Sequence, residues 1–75
     1  MDLQSRKFLR ELGSQIRRAR QARKWTQEDL ARRCALHRTF IGSVERGERN
    51  ISVLNLRHIA RILRVSLPDL LSESL

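Results

Sequence analysis

TQEDLARRCALHRTFIGSVER, residues Thr26–Arg46, reads as two short helices joined by a tight turn. Thr26 can cap the first helix. Its hydroxyl reaches the free N–H of Asp29, and the Asp29 carboxylate can reach back to the Thr26 N–H, a shortened capping box. Trp25, just outside the helix, and Leu30, one turn inside, are placed to staple its entry. Leu30, Ala31 and Cys34 then share one face at helical spacing, and the small Ala31 lets a second helix cross closely. Leu36 plugs the turn. The second helix starts near His37 and points Ile41 and Val44 inward. Its other face carries Arg38, Thr39, Gly42, Ser43 and Arg46. Those side chains can address base edges and phosphates, and none is a large aliphatic.

The pattern resembles the helix-turn-helix of the lambda repressor and Cro family. TQEDLA opens the first helix, and Ile41, Val44, Glu45, Arg46 and Gly47 stand where that family has I-x-x-h-E-x-G. The resemblance runs from about Leu12 to Leu71. Within the family, LHRTFIGSVERGERNIS is most similar to the restriction–modification controller proteins, whose recognition helices run D-R-T-Y-I-S-x-I-E-R. It implies an all-α, five-helix, lambda-repressor-like domain that binds DNA sequence-specifically and regulates transcription. It also implies a partly buried Arg20–Glu45 pair holding the recognition helix against the first helix. Two positions depart from the family. Ala35 occupies a turn position usually held by Gly, which at φ > 0 costs roughly 1 kcal/mol. Phe40 takes the place of the controllers' Tyr and lacks its hydroxyl.

Composition agrees with a nucleic-acid partner. The chain has 75 residues, enough for one small domain spanning 1–75, with 16 Lys and Arg against 8 Asp and Glu, net +8. The apolar residues are spread through five helical patterns rather than gathered in one long amphipathic stripe, which argues against a membrane-surface peptide. One cysteine allows neither an intrachain disulfide nor a cysteine-based zinc cluster. No stretch has the length of a membrane span or of a secretory signal, so a cytoplasmic location is expected.

Met1 to Ser5 are expected to be poorly ordered. From about Arg6 to Lys24 the apolar residues Phe8, Leu9, Leu12, Ile16 and Ala19 recur at helical spacing among many arginines. Residues 1–11 extend the family's first helix toward the N-terminus, and Gly13 inside it costs roughly 1 kcal/mol relative to Ala. Gly47 is the natural stop of the recognition helix. Ser52 can cap a helix over Val53–Arg64 with Leu56, Ile59, Ala60 and Leu63 inward. Ser66 can cap a last short helix, with Pro68 in its first turn. The final eleven residues carry no Lys or Arg, and four of them are Leu. That segment is the expected seam of a homodimer, through Leu67, Leu70 and Leu71, with Leu75 a further apolar candidate.

Catalysis is not expected. His37 and His58 fall in different helices, and no nucleophile, metal-ligand or phosphate-loop motif is present. Nothing points to a cofactor, a metal or a small-molecule ligand. The site is instead a DNA face. Arg38 is placed for bidentate contact to guanine, and Thr39 for a thymine methyl or a base edge. Arg49 can reach base edges or the minor groove. Gln27, Ser43, Arg46 and Asn50 are the phosphate candidates. Gly42 is expected to allow close approach to the groove. Two copies on a pseudo-palindromic operator would supply the specificity one recognition helix lacks. A phage-type repressor, or an antitoxin masking a toxin, are the competing functions for the same fold.

Overall fold

The computed structural model describes residues 2–73. Its helices are α1 (Leu3–Ala22), α2 (Gln27–Cys34), α3 (Arg38–Glu45), α4 (Val53–Leu63) and α5 (Leu67–Leu71), with no strand among the described residues. Every helix begins with a side chain that satisfies one of its free N–H groups: Asp2, Thr26, His37, Ser52 and Ser66. At Thr26 the box is complete: Asp29 N–H donates to Thr26 Oγ1 at 3.0 Å and Thr26 N–H to the Asp29 carboxylate at 2.9 Å. The Thr26 backbone bond holds the Asp29 carboxyl below its ordinary value. The box therefore contributes stability at neutral pH, and that contribution is lost as pH falls through the lowered value.

The start of α1 differs from the expectation. Residues 3–5 are helical, because the Asp2 carboxylate accepts the Ser5 N–H at 2.7 Å and fixes the first turn. The helix also stops earlier, at Ala22. Lys24 N–H bonds to the Gln21 carbonyl and Trp25 N–H to the Arg20 carbonyl, with Lys24 at φ 60°. That paired closure is a Schellman motif. It recurs after α2, α3 and α4, with Ala35, Gly47 and Arg64 in the left-handed position at φ 56°, 74° and 58°.

Only one of these four left-handed positions is a glycine, so Lys24, Ala35 and Arg64 each carry backbone strain. Ala35 forms the tight turn between α2 and α3. Ala35→Gly is expected to raise stability by about 0.5–1 kcal/mol, which for a domain this size moves the melting midpoint up a few degrees. Thermal unfolding followed by circular dichroism checks this; an unchanged or lower midpoint would mean the turn is unstrained.

The core gathers Leu12 and Ile16 of α1, Leu30, Ala31 and Cys34 of α2, Ile41 and Val44 of α3, and Leu56, Ile59, Ala60 and Leu63 of α4. Leu70 of α5 closes it. Burial pushes the Cys34 thiol up, as befits a small core residue. Gly13 is a crossing point. A Cβ there would overlap the main-chain carbonyls of Val44 and Glu45, so its absence is what lets α1 lie directly on the end of α3. His58 Nε2 donates to the Cys34 carbonyl at 2.9 Å, and Arg23 Nε to the Leu63 carbonyl at 2.9 Å. These bonds satisfy carbonyls at two helix ends and tie α4 to α2 and α1.

The proposed seam needs correction at Leu70. It is 2% exposed, because a five-residue helix has one inward position and Leu70 fills it. Leu67 is half-buried against the core and Leu71 is exposed. The most exposed large aliphatics elsewhere are Val53 and Leu54, at the start of α4, and Leu3. Leu75 lies outside the described residues.

Candidate nucleic-acid interface

The outward face of α3 is held in place from behind by one buried polar network. Arg20 Nε and Nη2 donate to the two Glu45 carboxylate oxygens at 2.6 and 3.0 Å, and Arg20 Nη1 donates to the Trp25 carbonyl at 2.8 Å. The Gln27 amide donates to Glu45 Oε1 at 3.1 Å. The side chains of Arg20 and Glu45 are 9% and 2% exposed, and no buried side-chain nitrogen or oxygen among the described residues lacks a partner. One ion pair thus joins the end of α1, the loop after it, the start of α2 and the end of α3. A bidentate guanidinium–carboxylate pair fixes direction as well as distance, so the angle of α3 against α1 is set.

Along α3 the side chains divide cleanly. Ile41 and Val44 are buried, whereas Arg38, Thr39 and Arg46 are exposed. His37 precedes them as the cap, its Nδ1 accepting the Thr39 N–H at 3.2 Å. Arg46 pairs with Glu48 at 3.0 Å, with both side chains 59% exposed. A pair that open to water contributes little and leaves the guanidinium available to an anion. Asn50 is exposed in the loop beyond, near the first turns of α1.

Three residues are arranged otherwise than their spacing suggests. Ser43 donates its hydroxyl proton to the Phe40 carbonyl at 2.8 Å and accepts from Arg49 Nε at 3.1 Å. Its proton is therefore occupied inside the helix, as is common for helical serines. Arg49 also lies over the Phe40 ring at 4.9 Å, so Ser43 and Phe40 together orient the guanidinium. Gln27 turns inward to Glu45. Gly42 is buried rather than open to the groove: a Cβ there would stand 3.3 Å from Gln27 Oε1 and 3.1 Å from Arg46 Nη1. Its small size makes room for Gln27, not for a base.

The spacing argument gave no site role to Arg6 or Arg10. Both share a shallow cleft with Arg46, Gly47 and Glu48 beside the end of α3. A Cβ at Gly47 would lie 2.7 Å from Arg10 Cα, so the loop after α3 rests on the α1 backbone. Both stand on the turns of α1 that run past the end of α3, within the helix expected from about Arg6 onward. A second basic cluster surrounds Trp25, with Arg33 at 4.2 Å and Arg23 at 5.1 Å from its ring. No helix among the described residues is long and apolar enough to cross a membrane.

Comparison with known proteins places this geometry. The family model described as helix-turn-helix matches residues 16–70. The control protein C.SmaI of Serratia marcescens is 44% identical over 62 residues, 83% of this chain and 74% of the relative. The restriction–modification controller protein C.AhdI of Aeromonas hydrophila superposes with a TM-score of 0.79 at 37% identity, covering 83% of this chain and 94% of that one. A hypothetical transcription factor, NHTF, from Neisseria superposes with a TM-score of 0.83 at 37% identity, covering 87% and 75%. The capped α2, the tight turn at Ala35, and α3 braced from behind by Arg20 and Glu45 are thus the helix-turn-helix of a chain that belongs to the helix-turn-helix family.

Proposed function

We propose that this protein is a dimeric, sequence-specific DNA-binding regulator of transcription of the restriction–modification controller kind, acting in the cytoplasm by binding rather than catalysis. The observation that carries the reading is the fixed α3: its apolar side is locked by Ile41, Val44 and Glu45 while Arg38 and Thr39 stand exposed at its start. In a major groove the first turn of such a helix meets base edges. Arg38 is assigned to guanine O6 and N7, and Thr39 to a neighbouring base edge. Arg49, oriented by Phe40 and Ser43, is the third base-contacting candidate. Arg46 and Asn50 are assigned to phosphates. Gln27 can offer the second N–H of its amide and its main-chain N–H at the start of α2. Ser43 reaches a phosphate only by releasing the Phe40 carbonyl, so its part is chiefly to hold Arg49. The controller proteins named above support this reading by their fold and sequence likeness.

One copy supplies one recognition helix, and a few base contacts do not select a site among a genome of competitors. Two copies related by a two-fold axis would read half-sites about one helical turn, ~34 Å, apart. With Leu70 in the core, the seam is assigned to exposed aliphatics of α4 and α5: Val53 at 73%, Leu54 at 67% and Leu71 at 37% exposure. Selection from random duplexes is expected to enrich a pseudo-palindrome; absence of any enriched sequence would contradict the function. Sedimentation at micromolar concentration should give a dimer, and Leu54→Glu a folded monomer, because an acidic residue in the first turn of α4 costs the helix nothing. A native monomer, both free and on the selected duplex, would remove the dimer.

A further inference from the structure

His37 does more than start α3. Its Nδ1 accepts the Thr39 main-chain N–H at 3.2 Å and stands 2.8 Å from Thr39 Oγ1. A main-chain N–H can only donate, so Nδ1 carries no proton and the neutral ring holds its proton on Nε2. The contact at 2.8 Å then has a single polarity: the Thr39 hydroxyl donates its proton to Nδ1. What Thr39 has left to offer outward is a pair of acceptor lone pairs and a methyl group.

We infer that His37 is a positioning residue that makes Thr39 an acceptor toward DNA, so that Thr39 selects a base presenting a donor in the major groove, adenine N6 or cytosine N4. The inference rests on the reading of Thr39 as a base-contacting residue. Guanine and thymine offer only acceptors at the corresponding edge, and an acceptor facing an acceptor is rejected. A protonated ring has no lone pair at Nδ1. It drops the main-chain N–H, donates to Thr39 Oγ1 and frees the hydroxyl proton to point outward. The polarity of Thr39 reverses, and guanine O6 or thymine O4 becomes the better partner. The charged groups sharing the cleft of His37 are Glu28 and Arg32 of α2 and Arg38 of α3. A neutral acceptor at position 37 is not the only residue that can do this: Asp is also a strong N-cap and accepts from both groups without an imidazole's titration.

The test is a competition assay with the native protein and its selected duplex, each position of a half-site replaced by all four bases. It is run at two pH values, one at which the imidazole is neutral and one at which it is protonated. At the higher pH, one position should prefer adenine or cytosine by about tenfold, and Thr39→Val should abolish that preference. At the lower pH the native preference should weaken or turn toward guanine or thymine. His37→Asp should keep the adenine or cytosine preference at both. A native preference that ignores pH, or one that shifts equally in His37→Asp, overturns the inference. If Thr39→Val changes the preference at no position, it is the base-contacting role of Thr39 that fails.

Discussion

Glu45→Ala is expected to destabilise the domain by about 3–5 kcal/mol, because it leaves the Arg20 guanidinium buried without its counter-charge. Arg20 donates two bonds to that carboxylate, and its side chain is 9% exposed. Water cannot replace the lost acceptor without opening the packing of α1 on α3. Small domains hold only about 5–10 kcal/mol in total, so the variant should melt some tens of degrees lower or fail to fold at physiological temperature. Arg20→Ala should act similarly, since Glu45 would then retain only the Gln27 amide. A paired replacement, Arg20→Met with Glu45→Leu, should recover much of the loss, because removing both charges also removes the cost of burying them. Denaturant unfolding of the three variants measures this. Single-variant losses below about 1 kcal/mol would show that the pair is effectively solvated.

Gly13→Ala should be destabilising by about 2 kcal/mol or more, although alanine is the better helix former by roughly 1 kcal/mol. The new methyl would run into the carbonyls of Val44 and Glu45. These are main-chain atoms at the end of α3, and unlike a long side chain they have no rotamer to escape to. Relief requires α1 and α3 to separate, which also stretches the Arg20–Glu45 bonds. The propensity term and the steric term thus have opposite signs, and the steric one should win. Urea unfolding decides between them; a variant as stable as the native protein would mean that the two helices can slide apart cheaply.

These two sites show which parts of the fold the sequence makes legible. Caps at Thr26, His37, Ser52 and Ser66 can be read from local chemistry, since each is a polar residue directly before an apolar periodic run. The inward stripes of all the longer helices follow from 3.6-residue spacing. The Arg20–Glu45 pair spans 25 positions and follows from family resemblance, not from any local pattern. Gly13 is different: as a sequence feature it is a weak helix residue, and only the crossing of α1 with α3 gives it a purpose. Gly42 misleads in the same way. It sits on the outward face by periodicity, yet the Gln27 side chain covers it. Ser43 and Gln27 carry groups suited to phosphates, but each forms a bond within the protein that spacing alone does not reveal. Leu70 and Leu71 are adjacent leucines, and the direction of a five-residue helix sends one into the core and the other to the surface.

The second arginine cluster, around Trp25, involves side chains from separate elements. Arg23 follows α1 and Arg33 belongs to α2, and both approach the same ring. Their proximity follows from the turn at Lys24 and is invisible to periodicity. Arg6 and Arg10 lie on a helix that periodicity does reveal, but their place beside the loop after α3 follows from the crossing of α1 with α3.

The central claim is that the first turn of α3 reads DNA sequence, and the affinity of Arg38→Ala for the selected duplex relative to a scrambled one tests it most directly. Both affinities are measured at one salt concentration, because phosphate contacts alone make binding steeply salt-dependent. The account predicts that the ratio falls by roughly 5- to 150-fold, the worth of a guanine contact of about 1–3 kcal/mol, while affinity for the scrambled duplex changes far less. A variant that binds both duplexes with the native ratio would contradict it.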